Sequence, residues 1–272
     1  AESGGTPSYK RPRCIDKLGE YQPADLIADI KRMKYAMAKT GYTEGFMNSA
    51  SPGVISLFQS TDYHNTHEQY LQDLADVMKH EYQIIVENGL YLQIDAPDLA
   101  LGRHMMFKNL SDKEFVNKVL LHVEILNYTL KDIPKERVRL HVCWGNYEGP
   151  HHCDIEISKL FPVLFELNVG ALLFEGANPR HSHEWESWSN TKIPDDLVLI
   201  PGVIDSTSNF IEHPSLVAQR LKRFINIVGP DRVIGGSDCG FSTFAGFGRV
   251  DEDIVYAKLK SLSEGAAIAA KN

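Results

Sequence analysis

The chain has 272 residues, 43% of them hydrophobic and 24% charged, with a formal net charge of −8. That is an ordinary globular composition, long enough for a single barrel-sized domain over residues 1–272. The acidic balance argues against a nucleic-acid partner, and no apolar run approaches the roughly 20 residues of a membrane span.

The four cysteines, Cys14, Cys143, Cys153 and Cys239, are too sparse for a disulfide framework. They read as reduced thiols of a cytoplasmic protein, some of them available as ligands. In chain order, residues 1–22 are polar and turn-rich, with a short strand expected near Cys14. A helix is expected from Pro23, with Leu26, Ile27, Ile30, Met33 and Met37 on one face. A strand within 41–50 precedes Ser51-Pro52-Gly53, read as a loop. The next helix spans about 66–88 and stops at Gly89; residues 90–95 then form a strand that ends before Pro97. Ser111 and Glu114 have capping-box spacing for a helix to Leu130.

Beyond Pro134 comes a strand carrying Arg139-Leu-His-Val-Cys143, closed by Trp144, Gly145 and Asn146. A helix over 154–167 contains Pro162. The remaining strands are expected at 169–175, 197–205 and 232–239, with a polar loop at 176–196. Helices open at Pro214, with Leu216, Val217, Leu221, Phe224 and Ile225 inward, and near residue 251. Strands alternate with helices and hairpin signals are lacking, which predicts parallel βα units. The fold expected is a (β/α)8 TIM-type barrel, with a doubly wound sheet as the rival. Gly235-Gly-Ser-Asp-Cys-Gly240 lacks the dinucleotide-binding spacing. Only about six strands, or seven with 14–21, can be counted where a closed barrel needs eight.

The strand runs end in polar residues: Asp95, Cys143, Glu175, Asp205 and Cys239. In a barrel these ends form the active-site face. Period-two alternation puts His141 and Cys143 on one strand face, about 7 Å apart. Zinc takes about four thiolate, imidazole or carboxylate ligands. Cys239 offers a third ligand and Glu175 a fourth. A thiolate-rich site suits a soft substrate such as an organic thiol. His151, His152, Cys153, His181 and His183 offer rival ligands. A lone buried cysteine is more often packing, and a lone histidine more often a hydrogen-bonded core residue. Asp95 and Asp205 read either as strand-end functional carboxylates or as turn residues. Trp144, Trp185 and Trp188 either line a pocket or cap the core.

Leu-His-Val-Cys143-Trp-Gly-Asn, Leu-Phe-Glu175, Pro-Gly-Val-Ile-Asp205 and Gly-Ser-Asp-Cys239-Gly-Phe together resemble the C-terminal domain of cobalamin-independent methionine synthase. They resemble still more its shorter relatives, which include epoxyalkane:coenzyme M transferase. The resemblance implies the barrel fold and a catalytic zinc held by His141, Cys143, Glu175 and Cys239. It places Asp95 where a substrate amino group is held. With two strands ahead of residue 41 in the family, it also implies that the first two barrel strands are missing from this chain. A homo-oligomer or association with that N-terminal piece would then cover the exposed strand edges.

Three departures bear on the substrate. Methionine synthases read Ile-Asp-Glu-Pro where this chain has Ile94-Asp95-Ala96-Pro97. They carry a histidine at the position of Thr207, and their gap from cysteine to glutamate is shorter. The activity implied is transfer of a methyl or alkyl group from a folate or epoxide donor to a small thiol. Asp205 is the expected catalytic orienting residue, and Asp95, Trp144 and Asn146 are expected to bind substrate. The alternatives are a non-catalytic barrel with a structural zinc, or a metal-assisted hydrolase or lyase.

Overall fold

The computed structural model describes residues 11–147, 149–241 and 250–271. What is expected of residues 1–10 lies outside the described residues. By internal contacts the chain divides into two units. One runs to His141 and takes in Pro162–Gly170; the other holds Val142–Phe161 and the chain from Ala171 onward.

The first unit begins with β1 (Arg13–Cys14) and α1 (Ala24–Thr40). Pro23 sits at the N-cap of α1, and Gly41 closes it in the left-handed region, where only glycine is at ease. β2 occupies Phe46–Ala50, a shorter strand than the span 41–50 allowed. The supposed Ser-Pro-Gly loop is instead the start of α2 (Pro52–Phe58). Ser51 is its N-cap, accepting from Val54 N at 2.9 Å, and Pro52 is its first residue. Serine at the cap and proline at the first helical position are a start signal as much as a turn signal. β3 (Ser60–Thr61) follows, too short to have a sequence signature, and pairs with β1.

α3 (His67–Glu87) buries Leu71, Leu74, Met78, Tyr82 and Ile85 at helical spacing, while Val77, expected on the same face, is only partly buried. β4 (Tyr91–Asp95) lies parallel to β2, Phe46 opposite Tyr91 and Ala50 opposite Asp95. After the one-turn α4 (Gly102–Met105) comes α5 (Asp112–Leu130), whose Ser111–Glu114 capping box forms as expected. β5 (Val138–Val142) pairs parallel with β4, with Asp95 directly opposite His141.

α6 (Ile157–Leu164) has its first five residues in the second unit and the rest in the first; the second unit continues with β6 (Ala171–Phe174) and α7 (Trp185–Ser189), the last a single turn within the expected loop 176–196. α6 keeps Pro162 inside it. β7 (Val198–Ile204), α8 (Pro214–Val228), β8 (Gly236–Ser237) and α9 (Glu252–Ala269) complete the chain. β6, β7 and β8 are neighbours in that order and parallel, with an irregularity between Gly202 and Ile204. β8 is much shorter than the expected 232–239; upstream of it only Val233 bridges, to Leu199. On α8, Val217, Ala218, Leu221 and Phe224 are buried, whereas Leu216 faces outward.

Every strand pairing among the described residues for which the register is known is parallel, as the lack of hairpin signals requires. No described helix is long and apolar enough to cross a membrane.

α8 and α9 meet at Gly265, where an added Cβ would collide with Val217 and the Pro214 carbonyl. Gly265→Ala gains about 1 kcal/mol of helix propensity but overpacks a contact at a cost of up to about 3 kcal/mol. The expected net loss is about 1–2 kcal/mol, measured by urea unfolding.

Candidate metal centre

His141 lies in β5, and Cys143 is one residue past its end. The alternation that makes this stretch a strand also turns both side chains to one face. Each of His141, Cys143 and Cys239 offers a ligand atom, and the three atoms lie within 4.8 Å of one another. All three residues are buried. The Cys143 and Cys239 sulfurs are 3.3 Å apart, not joined as a disulfide. The contact with Cys143, then burial, pushes the Cys239 thiol up. Gly145 N donates to Cys143 Sγ at 3.2 Å, with Gly145 at positive φ.

Asp95 and His141, cross-strand partners, are joined through Oδ1 and Nδ1 at 2.7 Å. With Nδ1 committed to a carboxylate, Nε2 is the nitrogen suited to ligation. Asp95, expected to bind substrate, is thus in contact with His141. Its side chain is still 46% exposed.

Glu175, one residue past β6, is buried. Its Oε1 accepts from Trp144 N at 2.8 Å, and its Oε2 accepts from Asn178 Nδ2 and Arg180 Nη2, each at 2.7 Å. It is outside the group of three. Each carboxylate oxygen has two lone pairs, so this count leaves one on Oε1.

Asp205, one residue past β7, forms a tight turn: Oδ1 accepts from Thr207 N at 3.0 Å and Thr207 Oγ1 at 2.9 Å. Asn146 bridges two strand ends, donating to Gly240 O at 2.6 Å and accepting from Ser206 Oγ at 2.9 Å. Trp144 is fully buried, with Nε1 donating to Ile155 O at 2.7 Å, so its ring serves packing. His151 and His181 are held by carboxylates. Cys153 is exposed.

Sequence reasoning passed over Asp238, although it stands inside the quoted Gly-Ser-Asp-Cys motif. Its side chain accepts from the backbone N–H groups of Gly176, Ala177 and Asn178 and from Asn178 Nδ2, each at 2.8 Å. Burial, and then the charge of Glu175, raise its carboxyl to about 6 against the pull of these donors. Asn178 and Arg180, in the loop after β6, were equally unmarked. The signal available was a buried-type acid next to a ligand-type cysteine.

Parallel βα units define a class of fold, the barrel-type α/β proteins, and in this chain a His/Cys/Cys group stands at the strand ends. Within that class, the chain is 26% identical to the methionine synthase of Sulfurisphaera tokodaii over 269 residues, 97% of this chain and 67% of that one. It is 24% identical to the methionine synthase of Thermococcus kodakarensis over 97% of this chain and 68% of that one. In three dimensions it matches the B12-independent methionine synthase of Shewanella sp. W3-18-1, solved with selenomethionine, with a TM-score of 0.68. That match covers 93% of this chain and 68% of the other at 18% identity. No family model matches. The resemblance carried by the motifs and the barrel-type fold it implied are both shown by these likenesses.

Asp238→Asn replaces a carboxylate with an amide that cannot accept all four donors. The expected loss is about 2–3 kcal/mol in chemical denaturation. His181 adds a pH dependence. Burial disfavours its charged form, but Asp154 and Glu184 prevail and raise its pKa from 6.5 to about 9. Its stabilisation is complete below pH 6.5 and lost as pH rises through about 9. Thermal unfolding of the parent should therefore fall more steeply between these values than that of His181→Gln.

Proposed function

We propose that this chain is a zinc-dependent transferase that alkylates or methylates a small organic thiol, with His141, Cys143, Glu175 and Cys239 as the metal's ligands. The observation that carries the reading is the pair of buried thiols 3.3 Å apart with an imidazole beside them. Two thiols and an imidazole are the donor set a soft or borderline divalent ion takes. The likeness to proteins named methionine synthase supports the same reading.

Bound zinc would supply a Lewis acid that lowers a thiol's pKa and holds it as a thiolate. Asp95 keeps His141 in the tautomer that offers Nε2. Glu175 contributes the remaining lone pair of Oε1, while Asn178 and Arg180 fix its orientation. Asp238 holds the Gly176–Asn178 turn in place. Asp205 and Asn146 shape the rim, where Asp95 remains within reach of a polar group on the acceptor. The acceptor sulfur bonds to the electrophilic carbon of a folate or epoxide type donor as the bond from that carbon to its leaving atom breaks. The leaving atom then takes a proton.

The first test is metal analysis of the purified chain. About one zinc per chain is expected, lost in Cys143→Ser and Cys239→Ser. Less than about half an equivalent, unchanged by Cys239→Ser, overturns the proposal. In a cobalt-substituted sample, an added thiol acceptor should shift the visible spectrum; binding that leaves the spectrum unchanged argues for a purely structural metal.

A further inference from the structure

The stretch immediately after Cys143 is stapled down by a chain of charged and polar groups that the metal centre does not use. His151, at φ 49° in the left-handed region, stacks on Tyr147 with ring centroids 4.2 Å apart. Its Nε2 faces Tyr147 O at 3.1 Å and its Nδ1 faces Asp154 Oδ2 at 2.9 Å. The same Asp154 oxygen lies 3.3 Å from His181 Nε2, an ion-pair contact. His181 Nδ1 meets Glu184 Oε2 at 3.0 Å, and Glu184 Oε1 accepts from Ile157 N at 2.9 Å.

His181 Nδ1 is hydrogen-bonded to Glu184, and Nε2 lies at ion-pair distance from Asp154 without a hydrogen bond, so a carboxylate stands on each side of the ring. The ring also lies against Trp144, centroids 4.3 Å apart, whose indole N–H holds Ile155 O. His181, Asp154 and Glu184 are all buried or nearly so. A buried charged network is costly to assemble unless every member is satisfied, and removing one member is strongly felt. Apart from the His181–Glu184 contact, each tie of this network ends on Trp144, Tyr147, Asp154 or Ile157. A non-glycine residue at positive φ, as at His151, persists only where its surroundings enforce it.

We propose that His181 is a positioning residue: clamped between Asp154 and Glu184, it holds residues 149–156 rigid as one wall of the thiol-acceptor pocket and so sets which acceptor is admitted. The wall's place in the pocket rests on the proposed function, because the loop springs directly from the ligand Cys143. The clamp itself does not.

Cys153, exposed within this loop, is a built-in reporter. In a Cys14→Ser background, with Cys143 and Cys239 buried, a nitroxide on Cys153 reads the loop's mobility by electron paramagnetic resonance. The parent should give an immobilised spectrum. His181→Gln and Asp154→Asn should each give a mobile one, and the double variant a gain in mobility less than the sum of the two, because they share the Asp154–His181 link. His183→Gln, two residues away and exposed, should leave the label immobile.

Zinc content measured on the same samples should be unchanged by all of these substitutions. With an acceptor that the parent turns over, His181→Gln should raise KM and leave kcat in place, since the ligands remain. An immobile label in His181→Gln overturns the clamp, as does equal loosening by His183→Gln. A parent without zinc overturns the proposed function alone, because the label reads the loop whether or not metal is bound.

Discussion

The Asp238 carboxylate, buried and gripped by four N–H groups, is the interaction on which the site depends. Three of its donors are consecutive backbone amides in the turn that follows β6. The acid stands just past β8 and next to Cys239. One side chain thus ties the ends of two strands together, setting Cys239 and Glu175 in place at once. Carboxylates that accept several backbone N–H bonds are among the stronger polar contacts in proteins. Gly202 of β7 follows from the same constraint: a Cβ there would run into Asp238. The irregularity beside Gly202 in the β7–β8 pairing lies where the acid passes.

A second layer of acids does for the histidines what Asp238 does for the turn. Asp95 fixes His141, Asp154 and Glu184 fix His181, and Asp98 fixes the buried His122 at 2.7 Å. In the His141 and His122 pairs one nitrogen is committed to a carboxylate, so ring orientation and tautomer follow. Lys258, fully buried, pairs with Glu212 at 2.8 Å, and Glu212 in turn accepts from the Asp205 amide. Paired burial is the only way such groups enter an interior without a large desolvation cost.

Much of the secondary structure is legible in the sequence because its signals are local. Ser111 with Glu114, Gly41 and Gly89 mark helix ends through bonds within one turn of chain. The apolar spacing of α3 maps directly onto its buried face. Misreadings arise where one residue type serves two purposes. Ser51-Pro52-Gly53 carries both turn and helix-start chemistry, and the choice is made by what the following residues can bury. Leu216 faces outward because Val217 and Ala218 share the buried side of α8, a decision made by α9 packing against it.

By itself the sequence determined the alternation of strand and helix, the parallel pairing and the list of polar residues at strand ends, because periodicity and capping act within a few residues. It singled out His141 and Cys143 as sharing a face, since two residues on one strand always do. Only the tertiary structure decided that Cys239, 96 residues further on, lies 3.3 Å from Cys143. The same is true of Asp95 turning toward His141, of Trp144 being packed away and of Asp238, unmarked in the sequence, anchoring the turn. Those outcomes depend on register between strands and on the geometry of loops that meet at one end of the sheet. Neither is encoded in any single stretch of chain.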